Sequence, residues 1–201
     1  MSATAAFADL LAPHATGDAL ARLVLYAELL ERWSNRHNLV SFATREELVR
    51  RHIADALAAV QFLPVSGSLL DVGSGAGLPG IPLLVASPGW RGTLLEPRQK
   101  RWAFLKLVIR EIGLDAEAER NRYEALEPGR RWDRITARAV GGDQALLEWA
   151  CNRLRPEGEV LLWTTQDAEK MLAQRPGWRV LSSAMPGLDR GRLCRLQPCF
   201  T

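Results

Sequence analysis

Apolar and polar positions divide the chain into two regimes that meet near residue 65. Before it, apolar residues recur three and four apart. Leu20, Leu23, Val24, Ala27 and Leu30 mark one face of a helix. Thr44, with Glu47 three residues on, forms a capping box at the start of a second helix running toward Leu63-Pro64. Between the two, Trp33 to Val40 is polar and reads as irregular, so two or three helices are expected before the first strand. From Ser68 the pattern changes to short apolar runs bounded by turn residues, the mark of buried parallel strands, alternating with helical stretches. The predicted order is a strand ending at Asp71-Val72, a helix over 82–87, a strand ending at Glu96, then a helix with Leu105, Val108, Ile109 and Ile112 on one face, stopped by Gly113. A strand over 116–119, a loop or short helix over 121–126 and a strand from Trp132 that ends at Arg138 near Gly141-Gly142 come next. A helix through Leu146, Ala150 and Leu154 stops at Pro156-Glu157-Gly158. A strand over 159–164 and a closing hairpin, 178–182 with 192–196 around Pro186-Gly187-Leu188-Asp189, complete the chain. Such alternation predicts an α/β fold, a doubly wound sheet over 65–201 with an N-terminal helical appendage over 1–64. Ligands of these sheets sit at the carboxyl ends of the strands, which gathers Asp71, Glu96, Tyr123, Glu124 and Arg138 at one edge.

The first strand breaks into Asp71-Val72-Gly73-Ser74-Gly75-Ala76-Gly77-Leu78-Pro79-Gly80-Ile81-Pro82-Leu83. Glycines permit positive φ and let a ligand lie against bare backbone. Glu96, at the tip of the next strand, stands where an acid can accept the hydroxyls of a ribose, so a nucleoside is the implied ligand. Gly75 to Gly80 also matches the G-x-G-x-x-G dinucleotide fingerprint, but Pro79 delays the helix that should begin over a pyrophosphate. An acid two residues before the first glycine, as Asp71 precedes Gly73-Ser74-Gly75, is similar instead to the first motif of S-adenosylmethionine-dependent methyltransferases with a Rossmann-like sheet. From the motif alone S-adenosylmethionine is favoured over NAD, and a purely structural glycine turn is a third reading.

Composition narrows this picture little. With 47% hydrophobic and 24% charged residues the chain reads as globular, and no apolar run or basic leader points to a membrane or to export, so a cytoplasmic location is expected. Three cysteines without C-x-x-C spacing and three scattered histidines indicate neither a disulfide framework nor a metal site. A net charge of +3 permits a polyanionic partner without requiring one. The basic cluster Arg45, Arg50, Arg51 and His52 reads first as a solvated helix face and, more sharply, as an RNA-facing patch.

Most of the chain resembles the bacterial 16S ribosomal RNA guanine-N7 methyltransferase family, once known as glucose-inhibited division protein B. The carriers are Trp33, Asn38-Leu39, Arg51-His52-Ile53-Ala54-Asp55, the long glycine-proline run from Asp71 to Leu83, Lys100-Arg101 with Phe104-Leu105, Arg122 with Glu124, Thr136-Ala137-Arg138-Ala139-Val140, and Pro186-Gly187-Leu188-Asp189 with Arg192. The resemblance implies S-adenosylmethionine as cofactor and 16S ribosomal RNA or the small subunit as partner. It makes Asp71, Gly73, Gly75, Gly77, Leu78, Glu96, Tyr123, Glu124 and Arg138 the cofactor-binding set. Tyr123 and Glu124 would flank the adenine and Arg138 would lie beside the methionine end. The sequence departs from the family pattern at Ser34, Val40, Ala56 and Glu96, where Asn, Thr, Ser and Asp are usual. At Trp163-Thr164-Thr165 a leucine-lysine-glycine ending is replaced.

No residue is assigned as a catalytic acid or base, with an electrostatic role left to Arg138. Guanine N7 carries an in-plane lone pair and no proton, so its methylation needs placement and no general base. Ala139-Val140-Gly141-Gly142 offers neither a nucleophilic cysteine nor the Asn/Asp-Pro-Pro-aromatic run of amine methylation. A small-molecule methyltransferase, an NAD-linked oxidoreductase and a non-catalytic RNA-binding module remain the alternatives, since fold alone does not decide among them. A monomer is the favoured oligomeric state.

Overall fold

The computed structural model describes residues 2–138, 144–184 and 191–199. The N-terminal region opens with α1 (Ala3–Leu11) and α2 (Gly17–His37). A continuous helical stretch follows, made of α3 (Arg45–Leu48), a π turn over Val49–Ile53 and α4 (Ala54–Leu57). Then β1 (Gly67–Val72), α5 (Gly80–Ala86), β2 (Trp90–Leu95), α6 (Gln99–Glu111), β3 (Ala116–Glu119), a short 3-10 turn over Tyr123–Ala125 and β4 (Trp132–Arg138) alternate as expected. The chain ends with α7 (Gln144–Cys151), β5 (Leu154–Thr165), α8 (Gln166–Ala173), β6 (Trp178–Ala184) and β7 (Gly191–Pro198). All seven strands form one sheet in the order β3-β2-β1-β4-β5-β7-β6. The first five are mutually parallel, and β7 runs antiparallel between β5 and β6. The direction of winding reverses between β1 and β4, which places the crevice for a ligand at the carboxyl ends of those strands.

Each face of the sheet has its own core. One cluster unites Phe7, Leu11, Leu23, Tyr26, Leu30 and Ile53 from the N-terminal helices with Leu69, Ile81, Phe104 and Leu105. The opposite cluster joins Leu70, Ile135, Leu146, Leu147, Val160 and Leu196. The N-terminal helices therefore pack on the same face of the sheet as α5 and α6.

Four elements differ from the sequence reading. Trp33 to His37 is not irregular, because α2 continues to His37 and stops only where Asn38 turns left-handed at φ 50° and donates its N–H to the Ser34 carbonyl, 2.9 Å away. The capping box forms with one change: Thr44 Oγ1 accepts from the Glu47 N–H, while Glu47 reaches one residue further back, to the N–H of Ala43. Leu154 belongs to β5 and not to the preceding helix. The strand tolerates Pro156-Glu157-Gly158 because Glu157 adopts φ 62° and the register with β4 shifts there. Helix α8 has no counterpart in the sequence reading, since it spans only 8 residues and buries only Leu172, too short a stretch for a helical period to stand out. The segment 139–142 and the turn 186–189 lie outside the described residues.

Candidate active site

The glycine loop is held from beneath by Asp71. Its carboxylate is fully buried: Oδ2 accepts from Ser74 Oγ and from the Gly80 N–H at 3.2 Å, and Oδ1 accepts from Thr136 Oγ1 on β4 at 2.8 Å. The acid thus ties both ends of the loop to the strand across the switch point. Burial pushes its pKa up to about 6, against the pull of those hydrogen bonds. A second support comes from α2, where the buried Tyr26 hydroxyl donates to the Ala76 carbonyl at 2.9 Å. Burial, then the nearby Asp71, raises the Tyr26 pKa well above its ordinary value, so the hydroxyl stays a donor.

Gly73, Gly75 and Gly77 all have left-handed φ, 68°, 59° and 87°. The glycines of this loop serve different ends. A Cβ on Gly77 would lie 2.2 Å from Ile81 Cδ1, and one on Gly80 would lie 2.7 Å from Asp71 Oδ2, so those two are small to let α5 close on β1. At the buried Gly75 a Cβ would be in ordinary contact with the far end of Arg101 at 3.5 Å and with the Gly73 carbonyl at 3.7 Å, and Gly73 is exposed. Gly73 therefore presents bare backbone where a ligand can lie on the loop, while Gly75 is glycine for its left-handed φ rather than for want of space.

Glu96 follows β2 and is 3% exposed. Its Oε2 accepts from the Gly75 N–H at 3.1 Å and its Oε1 from the Arg98 N–H at 2.8 Å, so the acid is fixed against the loop with lone pairs to spare. Leu78 is buried beneath the loop. Tyr123 is half-buried on the 3-10 turn after β3, its ring 5.1 Å from that of Trp149, and Glu124 beside it is exposed.

The hydrogen bonds of the loop discriminate between ligands. The N–H groups of Ser74, Gly75, Gly77, Leu78, Gly80 and Ile81 are spent on Leu95, Glu96, Ser74, Ser74, Asp71 and Gly77, and Pro79 has none. A pyrophosphate needs several converging free amides. This loop keeps too few, whereas a nucleoside with a short zwitterionic tail does not ask for them. The residues present therefore fit S-adenosylmethionine.

At the end of β4, Arg138 points to the N-terminal helices. Its guanidinium pairs with Asp55 Oδ2 at 3.0 Å and donates to the carbonyls of Arg51 at 2.9 Å and His52 at 3.5 Å. These carbonyls belong to the π turn, where the widened ladder makes room for an outside donor. Asp55 is 2% exposed, and burial lifts its pKa to about 6 although Arg138 draws it down. The indole N–H of Trp163 on β5 donates to the Asp55 carbonyl at 3.2 Å. Sequence reasoning gave Asp55 and Tyr26 no role. The signal for Asp55 was its place in the run Arg51-His52-Ile53-Ala54-Asp55, one of the carriers of the family resemblance.

The three arginines of the N-terminal patch differ. Arg45 is held bidentately by Glu31 at 2.7 and 2.9 Å, and Arg51 by Glu47 at 2.7 Å. Arg50 is exposed, has no acidic partner among the described residues, and lines a hollow with His14, Ala54, Leu57 and Gln61. Among the described residues, no group of three His, Cys, Asp or Glu side chains is placed to hold a metal ion, and no helix is long and apolar enough to cross a membrane.

Sheet order, acid-anchored glycine loop and a buried acid at the end of β2 together define a class I S-adenosylmethionine-dependent methyltransferase. The fold is similar to the Bacillus cereus O-methyltransferase in complex with SAH (TM-score 0.62, 17% identity, covering 86% of this chain and 90% of that one). It is also similar to the DhpI–SAH complex (TM-score 0.61, 16% identity, 90% and 97%). Residues 19–185 match the rRNA small subunit methyltransferase G family, GidB, and the chain belongs to it. Ribosomal RNA small subunit methyltransferase G of Stenotrophomonas maltophilia strain K279a is 37% identical over 171 residues, covering 83% of this chain and 80% of its own length. The Xanthomonas campestris pv. campestris strain 8004 protein of the same name is 36% identical over 180 residues, 87% and 84%.

Proposed function

We propose that this protein transfers the methyl group of S-adenosylmethionine to N7 of a guanine in 16S ribosomal RNA, free or within the small subunit, in the cytoplasm. The family match over residues 19–185 carries this reading, and the loop geometry supports it. When bound, S-adenosylmethionine supplies a methyl group on a positively charged sulfur, ready for in-line displacement. The chain's own work is placement. Asp71 and Tyr26 fix the loop, Glu96 offers its remaining lone pairs to a ribose, and Tyr123 with Glu124 borders the adenine side. Arg138 sets the edge of β4 against the helical segment that carries Arg50. No side chain has to remove a proton, because N7 presents a lone pair in the ring plane. His52, whose carbonyl meets Arg138, commits its Nε2 to the Ser41 carbonyl at 3.3 Å, and burial lowers its pKa. We include Arg45, Arg50 and Arg51 in the surface that faces the RNA.

The test is a 16S substrate in which 7-deazaguanine replaces the target guanine. The Watson-Crick edge and ring shape persist while the accepting lone pair is gone. Binding should be retained and methyl transfer lost, measured with labelled S-adenosylmethionine. Label entering the 7-deaza substrate would show that another atom is methylated.

A further inference from the structure

The C-terminal end of α2 and the segment that folds back over it enclose a pocket of about 380 Å³ lined by Ser34, Asn35, Asn38, Val40, Ser41 and Phe42. We infer that this pocket seats an unstacked nucleobase of the RNA substrate, distinct from the target guanine. The inference rests on the reading that the substrate is RNA and names a second place where that RNA is held.

The pocket carries hydrogen-bonding capacity that the fold does not use. Ser34 is 5% exposed and its Oγ has no hydrogen-bond partner among the described residues. A serine inside a helix ordinarily satisfies its hydroxyl on the carbonyl four residues back, and this one does not. A buried hydroxyl left alone destabilises the protein. Its presence on the wall of a pocket is accounted for if a ligand completes it. The exposed amides of Asn35 and Asn38 add donors and acceptors at the same wall.

The lining also excludes other ligands. It holds no charged side chain, so a phosphate or a carboxylate finds no counter-charge there. Neutral amides and hydroxyls beside a half-buried phenylalanine and a valine suit a flat, neutral, hydrogen-bonding ring. Splayed bases of RNA are recognised in this way, stacked against an aromatic side chain and read along an edge by amides.

The pocket is also fixed relative to the methyl-transfer edge. The left-handed turn at Asn38 sends the chain straight back over the helix end, so the following residues close the hollow. Ser41 accepts from the His52 ring through its carbonyl at 3.3 Å, and the His52 carbonyl accepts from Arg138 at 3.5 Å. A base held here is therefore held in register with the end of β4.

Ser34→Ala gives the decisive measurement, because it separates a binding role from a structural one. Removing an unpartnered buried hydroxyl should raise the melting temperature of the free protein by a few degrees. The same change should raise KM for the 16S substrate about tenfold, the equivalent of one lost hydrogen bond to a base. Values of kcat and the affinity for S-adenosylhomocysteine should stay as in the wild type. Asn35→Ala combined with Asn38→Gly, which keeps the left-handed turn available, should raise KM in the same way. Unchanged KM in both variants, while the wild type methylates RNA normally, overturns the base seat and leaves the proposed function standing. A raised KM accompanied by a lower melting temperature in Ser34→Ala assigns the hydroxyl to structure and also overturns it. A wild type that transfers no methyl group to any 16S substrate removes the underlying reading and the seat with it.

Discussion

Asp71 and Asp55 are two carboxyl groups that the fold holds in a partly unfavourable state. Both have pKa values lifted to about 6 from an ordinary 3.8, in each case chiefly by burial. The folded protein therefore binds protons that the unfolded chain has already released in the window between those values. The stability linked to these groups is fully present below about pH 4 and is lost as pH rises through about 6. Calorimetric melting temperatures should accordingly increase as pH is lowered from 7.5 to 5. Asp71→Asn should flatten the rise, since the amide can still accept from Gly80 and donate to Thr136 but no longer titrates. A variant with the wild-type pH slope would remove Asp71 as its source. At this scale the sequence was legible wherever a residue's partner is close in the chain. Asp71, the glycines and Glu96 form one local grammar of strand end, turn and next strand end. Tyr26 and Asp55 work on Ala76 and Arg138, partners that only tertiary folding brings near, and nothing in their own neighbourhoods announces it.

At the scale of the element, the helical stretch 45–57 explains why basic residues that read as one cluster in the sequence have different partners in the structure. Thr44 and Glu47 start it, as the capping box indicated, but the π turn over Val49–Ile53 rotates successive side chains differently from a regular helix. Arg51 and Arg45 turn to acids, and Arg50 stays free over its hollow. Arg50→Ala should therefore weaken RNA binding and lower the slope of log affinity against log salt by about one phosphate contact. Arg45→Ala should lower that slope less, because its guanidinium is already paired with Glu31, and should cost a little stability through the lost pair. Binding titrations at several salt concentrations decide between them, and an unaltered slope for Arg50→Ala would return it to a solvated helix face. The strand boundaries near Pro156 were misread for a related reason. Proline and glycine normally punctuate, and here they sit inside β5 at a bulge on its entry.

For the molecule as a whole, the doubly wound order of β1 to β5 follows from alternation, and so was legible early. What alternation cannot say is that α1 and α2 share a core with α5 and α6. Amphipathic periodicity tells that a helix has a buried face and not what buries it. The hydroxyl of Tyr26 makes this sharing matter for the site. Tyr26→Phe keeps the ring in the core and leaves the Ala76 carbonyl without its donor, a change worth roughly 1–3 kcal/mol for a buried group. S-adenosylhomocysteine affinity should fall with it, by titration calorimetry, although Tyr26 lies on a helix outside the sheet. Undiminished affinity would show that the loop holds its shape without α2.

The same bond joins residues 50 positions apart in the chain, and this has a meaning in time. During synthesis α2 leaves the ribosome before any strand does, and domains begin to organise from the N-terminal side. When β1 and its loop emerge, the apolar face of α2 and the Tyr26 hydroxyl are already there to receive them. The hairpin of β6 and β7 arrives last and adds to a sheet edge that β5 has completed. A nascent chain stalled after β4 should therefore protect the amides of α2 and β1 from hydrogen exchange, and one stalled before β1 should leave those of α2 unprotected.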